Sequence, residues 1–440
     1  MSARSRELIV LLGGRQVGVV ERTGNRTQFT YDDVWRNDPK AYPLSLSMPL
    51  ARAVHSGPEV DAYLWGLLPD NERVLRSWGK RFHVSSGNAF ALLSHVGEDC
   101  PGAVQFVRAS EDEGTGDAAL ARATIQWLVE TDIAERLRSL REDPSATRSA
   151  TDIGAFSLAG AQPKTALLFF DGRWGVPAGR IPTTHILKPP GSEFEELAEN
   201  EHFCLTLARR TGLSAARSAV TWFAGEAAIV IERFDRTMAP GMKRAPEALR
   251  RVHQEDLCQA LGVHPRDKYQ SEGGPTPAQI VGLLRDESDS PALDTRRFVD
   301  ALIFNWLIAG TDAHAKNYAL LHGPGGAVRL APLYDVISAL PYPDQLSPWK
   351  TKLAMRIGSK YRVRDIRREH WESLADEARL PPDEVIDRVR DLARRVPDLA
   401  ADVRRELEAD GLPRDVVTRL SDGVAGHARE CAERTGARRG

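Results

Sequence analysis

Thr311-Asp312-Ala313-His314-Ala315-Lys316-Asn317, with Pro332-Leu333-Tyr334-Asp335-Val336 downstream, is the stretch from which the rest of the chain can be read. It follows residues 298–309, apolar nearly all round, which predicts a buried core helix. It precedes a short strand and one hairpin-like interruption over 318–330, and Asp335 comes 18 residues after Asn317. Phosphoryl transfer asks for this set: a carboxylate to orient a hydroxyl, an amide oxygen for Mg²⁺, and a second carboxylate for the metal that bridges the phosphates. The order helix, D-x-x-x-x-N loop, hairpin, Asp is that of a protein-kinase catalytic loop and its metal-binding aspartate. A lone Asp and Asn in a loop would read as well as a cap and a turn residue. The second Asp beyond the hairpin is what favours the chemical reading.

The upstream half must then supply a phosphate cradle and a lysine. Phe156-Ser157-Leu158-Ala159-Gly160-Ala161-Gln162-Pro163-Lys164 leads into an expected hairpin. Small residues let backbone N–H groups approach phosphate oxygens, although one glycine matches neither G-x-G-x-x-G nor G-x-x-x-x-G-K-[ST]. The hairpin rests on Asp171-Gly172, a pair favoured in type I′ turns, between strands expected at 165–170 and 173–176. Lys188 ends a strand expected at 184–188; it could pair phosphates, with Glu201 on the next helix, 199–210, to orient it. The apolar run 227–231 and the following Glu232-Arg233-Phe234 suit a hinge whose backbone reads an adenine edge.

Around this core the chain has 440 residues, 42% hydrophobic and 27% charged, with a net charge of −2. That is an ordinary globular balance for two to four units, and it excludes a uniformly basic nucleic-acid coat. No apolar run reaches the ~18 residues of a membrane helix, and residues 8–12 read as a first strand rather than a signal core. Cys100, Cys204, Cys258 and Cys431 are far apart, so reduced thiols in a cytoplasmic protein are expected. The reading places an N-terminal α+β subdomain at 1–108, a linker and helix at 109–150, an ATP-binding lobe at 151–240 and a helical catalytic lobe at 241–440. Residues 43–50, fenced by prolines, are expected to be extended, 109–119 a solvated loop, and 121–142 helical. His253-Gln254-Glu255-Asp256 is expected at a helix start, and His185 and His314 are expected to be hydrogen-bonded rather than zinc ligands.

The motifs resemble those of the HipA-type Ser/Thr kinase toxins of bacterial type II toxin–antitoxin modules. The resemblance is carried by Ser157 to Leu167, Thr184-His-Ile-Leu-Lys-Pro189, Asn200-Glu201, Glu232-Arg-Phe-Asp-Arg236, His253 to Gln259, Asn305-Trp-Leu-Ile308, the Asp312 loop and Leu333-Tyr-Asp-Val-Ile337. Pro43 to Leu50, Leu67-Leu-Pro-Asp70 and Gly102-Ala-Val104 carry it through the N-terminal part. It implies an α+β, bilobal protein-kinase-like fold, with a strand-rich N-lobe, an all-helical C-lobe and an extra N-terminal α+β subdomain. It implies ATP and Mg²⁺ as cofactors and Asp312 as the catalytic Asp. Asn317 and Asp335 would be metal ligands and Lys188 the phosphate lysine. Residues Ala159, Gly160, Ala161, Gln162, Pro163 and Lys164 would form the phosphate loop. Glu232, Arg233 and Phe234 would contact adenine, with His314, Lys316 and Tyr334 also lining the nucleotide. Ser157 matches the family's autophosphorylated serine, whose modification switches the kinase off.

The implied partners are a HipB-like helix-turn-helix antitoxin, operator DNA reached mainly through that antitoxin, and an aminoacyl-tRNA synthetase substrate, most familiarly the glutamate enzyme. The implied outcome is growth arrest and persistence, with transcription repression in the antitoxin complex. A catalytically quiet antitoxin-binding corepressor and a small-molecule kinase are the alternatives.

Overall fold

The computed structural model describes residues 6–108, 124–147, 152, 156–179, 181–191, 196–242, 244–342 and 350–436. The 109–119 stretch lies outside them. The chain forms two compact units: Met1–Pro189 with Thr221–Arg266 and Leu320–Val328, and Pro190–Val220 with Asp267–Ala319 and Arg329–Gly440.

The first unit carries two large sheets and smaller strand pairings. Strands β1 (Arg6–Leu12), β2 (Arg15–Thr23), β3 (Arg26–Tyr31), β4 (Val54–Ser56) and β5 (Val104–Arg108) pair in the order β4-β3-β2-β1-β5. Leu8, Val10 and Leu12 alternate inward along β1, as a period-two pattern dictates. They join Phe29, Tyr31, Trp35, Met48, Leu64 and Trp78 in one core. Four helices accompany this sheet: α1 (Asp33–Arg36), α2 (Pro58–Gly66), α3 (Glu72–Phe82) and α4 (Ala89–Val96).

The second sheet takes in β6 (Thr124–Leu128), β7 (Thr165–Phe170), β8 (Arg173–Ala178), β9 (His185–Lys188), β10 (Ser218–Phe223) and β11 (Glu226–Glu232), ordered β10-β11-β9-β7-β8-β6. Helix α5 (Glu130–Glu142) buries Ile133, Ala134 and Leu137 against Leu167, Val176, Leu187 and Val230. At the β7–β8 turn both Asp171 (φ 46°) and Gly172 (φ 74°) are left-handed, the type I′ geometry expected from the pair.

Helix α6 (Leu197–Thr211) belongs to the second unit and ends at Gly212, whose φ of 96° makes it a left-handed cap. Small strands follow: β12 (Arg236–Met238) with β13 (Leu249–Arg251), and β14 (His253–Asp256) with β15 (Ala319–Gly323) and β16 (Ala327–Leu330). A short α7 (Leu257–Ala260) lies between. Strands β12 to β14 and α7 belong to the first unit; the described residues of the second are mostly helical, with α8 (Pro277–Glu287), α9 (Pro291–Leu307), α10 (Arg368–Glu377), α11 (Pro382–Ala409) and α12 (Arg414–Gly436), and a strand pair, β17 (Lys352–Ile357) with β18 (Lys360–Arg362). Helix α9 buries Phe298, Ile303, Phe304 and Trp306 completely, as its uniform apolarity predicts. Helix α6 packs on α11 and α12.

Three local expectations are corrected. Residues 43–50 fold back on themselves: Ser45 and Met48 form an antiparallel bridge, with the Met48 N–H donating to the Ser45 carbonyl at 2.9 Å. The cause is the buried carboxylate of Glu255, which accepts from the Ser45 hydroxyl and, at 2.9 Å, from the Leu46 N–H. Among the described residues of 121–142, α5 is helical but Thr124–Leu128 is a strand, because pairing along β8 outweighs a helical pattern this short. Residues 253–256 are a strand rather than a helix start, although Asp256 does cap α7, in a capping box with Gln259.

Candidate active site

In the first unit, the loop between Phe156 and Lys164 runs directly into β7, and β7 pairs antiparallel with β9, Thr165 opposite Leu187. Lys188 therefore lies beside the point where the loop becomes a strand, and it is buried. Gly160 takes φ 101°, which an L side chain would resist. The Lys164 ammonium donates to the Ala159 carbonyl at 2.7 Å, closing the loop on itself. On its other edge β9 pairs with β11, Lys188 opposite Ile229 and His185 opposite Glu232. The hinge end of β11 is thus three residues, about 10 Å, from the lysine. One unit brings together the loop, Lys188 and the 232–234 segment.

The Arg233 side chain turns inward. Its N–H donates to the Thr184 carbonyl at 2.9 Å, and its guanidinium, fully buried, donates to Asp235 at 2.9 and 3.0 Å and to Thr183 at 2.9 Å. Only its carbonyl is left as a possible reader of a base. The guanidinium instead anchors a buried charge cluster in which Arg236 reaches Asp99 at 2.9 Å and Arg251 reaches it at 3.1 Å. Burial alone would raise the Asp99 pKa, but Arg236, Arg251 and Arg233 hold its carboxyl well below the usual range. Burial, then repulsion from Arg233, pushes Arg236 down to about 10. Gly102 closes the cluster by donating its N–H to Asp235 at 2.7 Å; a Cβ there would meet the Gln254 backbone at 2.6 Å, so only glycine fits.

In the second unit, α9 ends at Leu307 and delivers the Asp312 loop from a rigid base. Asp312 is about half exposed, 48% by side chain, and its carboxylate accepts a short hydrogen bond from the Tyr269 hydroxyl. The Asn317 side-chain N–H₂ donates to the Asp312 carbonyl at 2.7 Å, a bond that engages its nitrogen and not its amide oxygen. The His314 N–H donates to the Asp312 carbonyl at 2.8 Å, and the ring meets Tyr269 edge-on at 4.9 Å. Lys316 is buried, and its carbonyl accepts from the Tyr334 hydroxyl at 2.8 Å, which ties the segment carrying Asp335 to the loop. Asp335 itself sits at φ 57°, a left-handed conformation that costs a non-glycine residue ~1 kcal/mol or more and marks a site where geometry is imposed.

The oxygen donors of Asn317 and Asp335 have the hardness Mg²⁺ prefers, completed by phosphate and water rather than by a full protein cage. Among the described residues no group of three or more His, Cys, Asp or Glu could hold a metal, so a zinc site is not supported. His185 Nδ1 lies 2.9 Å from the Thr184 hydroxyl, the hydrogen-bonded role expected of it.

Glu201 is buried on α6 in the second unit, whereas Lys188 is in the first. Two side chains that hold these segments in place carried no signal in the sequence. Tyr269 is 43 positions from the Asp312 it contacts and sits in no motif. Asn200, next to Glu201, was quoted without a role; its side chain donates to the Ser338 carbonyl at 2.8 Å and accepts from the Ser338 N–H at 2.9 Å, pinning the backbone just past Asp335. Buried amides of this kind carry no spacing signal. None of the four cysteines forms a disulfide.

Comparison with known proteins bears on this arrangement. The HipA N-terminal domain family matches residues 8–107, and the HipA-like C-terminal domain family matches residues 156–400. The chain belongs to the HipA family. Two of its relatives match over nearly its whole length. A Sinorhizobium fredii protein named "Putative kinase Y4mE" is 36% identical over 96% of this chain and 98% of its own. The serine/threonine-protein kinase toxin HipA of Shewanella oneidensis is 28% identical over 91% of this chain and 90% of its own. The solved complex of Shewanella oneidensis HipA with HipB and operator DNA superposes with a TM-score of 0.79 at 24% identity, covering 98% of this chain and all of that one. The HipA fold, α+β and kinase-like, is therefore the fold of this chain. No described helix is long and apolar enough to cross a membrane.

Proposed function

We propose that the protein is an ATP-dependent Ser/Thr protein kinase that acts as the toxin of a toxin–antitoxin pair. The observation that carries the reading is the Asp312 loop: a half-exposed carboxylate held by Tyr269, an Asn317 amide tied to the Asp312 carbonyl through its nitrogen, and a left-handed Asp335 tethered through Tyr334. In this reading Asp312 accepts the proton of the attacking hydroxyl, and Asn317 and Asp335 would hold Mg²⁺, which supplies charge neutralisation at the phosphates. Lys188 and the N–H groups of 159–164 would hold the phosphate oxygens, with Glu201 orienting the lysine and the 232–234 backbone reading adenine. Pro163 contributes no N–H, so the cradle relies on its neighbours. Ser157 is the proposed site of autophosphorylation.

The relatives extend the proposal to a helix-turn-helix antitoxin of HipB type, and to operator DNA reached through it, where the toxin would act as corepressor. An aminoacyl-tRNA synthetase, the glutamate enzyme first, is the proposed substrate, in a cytoplasmic setting. The test is incubation of the full chain with Mg²⁺ and labelled ATP. Label on Ser157 that vanishes in Asp312→Ala is expected. A wild-type chain that neither binds ATP nor takes up label would sink the kinase reading and favour a quiet corepressor. Phosphoproteomics after brief expression without antitoxin would name the substrate.

A further inference from the structure

In the second unit, the segment between α10 and α11 meets the first turns of α9 and α11 around a pocket of about 420 Å³. That volume is within the roughly 300–1,000 Å³ of small-molecule sites. Val299 and Val385, both buried, give it an apolar wall. Thr295 lines the same space; it is 5% exposed, and its hydroxyl has no hydrogen-bond partner. Helix α9 has 17 residues, about 25 Å, so the pocket is separate from the Asp312 loop at the other end of that helix.

The charges around the pocket do not balance. Arg285, Arg296, Arg379 and Arg388 line it, with Asp300 and Glu384. Arg388 is taken up by Asp300, at 2.9 and 2.8 Å. Arg285 donates to the Arg379 carbonyl at 2.6 Å, an acceptor without formal charge. Three arginines are thus set against the lone carboxylate of Glu384, a surplus of two positive charges. The helix starts add to it. Helices α9 and α11 begin at Pro291 and Pro382, and neither Ser290 nor Pro381 caps its helix through a side chain. The N–H groups of such a first turn, with the helix dipole, favour an anion.

We infer that this pocket binds a small phosphate monoester with a flat apolar body, an aryl or heteroaryl phosphate. Such a monoester is close to a dianion at neutral pH and answers the surplus of two charges, whereas a carboxylate answers half of it. The guanidinium forks of Arg285, Arg296 and Arg379 hold phosphate oxygens in pairs, and the ring lies on Val299 and Val385. The unused Thr295 hydroxyl is a further donor on that wall. The pocket owes nothing to the Asp312 loop, and its ligand does not depend on the kinase reading.

The test is titration calorimetry of the full chain with 1-naphthyl phosphate, beside 1-naphthol, which lacks the anion, and inorganic phosphate, which lacks the ring. Naphthyl phosphate should bind at least about tenfold more tightly than either. Its affinity should fall as salt rises. Arg296→Ala removes one phosphate fork and should weaken binding about tenfold. Ala292→Trp sets an indole in the pocket mouth and should abolish binding. Both positions are exposed, so both variants should keep the wild-type thermal midpoint, which shows that lost affinity is not lost folding. Lys188→Ala, in the other unit, should bind as wild type does. Equal affinity for naphthol would overturn the anion site, and full affinity in Ala292→Trp would reduce the arginines to scattered surface charge. Loss of binding in Lys188→Ala with retention in Ala292→Trp would assign the ligand to the proposed nucleotide site and overturn the pocket as well.

Discussion

At the residue scale, Asp312, the proposed base, has an environment that is hardly written beside it in the sequence. Its neighbours in sequence place it on a loop; the hydrogen bond that orients its carboxylate comes from Tyr269. A hydrogen bond to a charged acceptor contributes roughly 1.5–3 kcal/mol. Tyr269→Phe keeps the ring against His314 and removes only the donor. If Asp312 is the base, its phosphoryl-transfer rate falls about tenfold while ATP affinity is unchanged, as measured by single-turnover labelling and equilibrium nucleotide binding. A loss confined to nucleotide affinity would show that Tyr269 shapes the pocket rather than the carboxylate. Asp335 poses the converse case. Its left-handed backbone is imposed by its surroundings, since nothing in the dipeptide Tyr334-Asp335 favours it over an extended one.

At the element scale, helices α6 and α9 act as rigid bases for loops. Asn200 on α6 grips the backbone of Ser338 with both atoms of its amide, and the Ser338 hydroxyl donates to the Ile308 carbonyl at 2.7 Å at the end of α9. The segment just past Asp335 is therefore tied to two helices at one point. Asn200→Ala leaves a buried backbone N–H and C=O unsatisfied and should lower the unfolding free energy of the second unit by about 2–3 kcal/mol. It should also weaken Mg²⁺ dependence of labelling by loosening Asp335, whereas an alanine at the exposed Arg390 should do neither. Thermal unfolding and an Mg²⁺ titration read the two effects. Element types were largely visible in the sequence: the type I′ hairpin at Asp171-Gly172, the buried α9, the strand ending at Lys188 and the capped end of α6 all follow from local chemistry. The misread stretches, 43–50 and 124–128, are those whose conformation is set by distant partners, Glu255 and β8.

At the scale of the whole molecule, burial of neutral histidines makes stability depend on pH. Burial, with repulsion from His322, pushes His253 down to about 3, and burial pushes His185 down to about 4. Both lie in the first unit. Unfolded, each would titrate near its ordinary value, so between pH 6.5 and about 4 the unfolded chain binds protons that the folded one does not. Stability is full above pH 6.5 and falls as pH drops through that window, by about 1.4 kcal/mol per pH unit for each such histidine. The unfolding free energy of the first unit should thus decline by roughly 2–3 kcal/mol per unit near pH 5. His253→Gln should cut that slope by about half if it retains the contact to the Leu44 carbonyl, seen at 2.9 Å. Denaturant titrations at several pH values give the slope; an unchanged slope in the variant would exclude His253 as its source.

The D-x-x-x-x-N loop, the distant Asp335, the lysine-bearing strand and the turn pair are local patterns, and each is legible because its chemistry demands particular residue types at short spacing. The family and its two-part organisation follow from those patterns together. Three things needed the folded chain. Arg233, in a hinge motif, is drawn instead into a buried cluster with Asp99, 134 positions earlier. Helix α6 belongs with the helical unit rather than with the sheet that precedes it, because its apolar faces are covered by α11 and α12. Ser157, which matches a modified serine by resemblance alone, is buried with its hydroxyl on the Leu67 carbonyl. Each depends on desolvating a polar or apolar group against a partner far along the chain, and such pairings leave no periodicity or spacing in the sequence to be read.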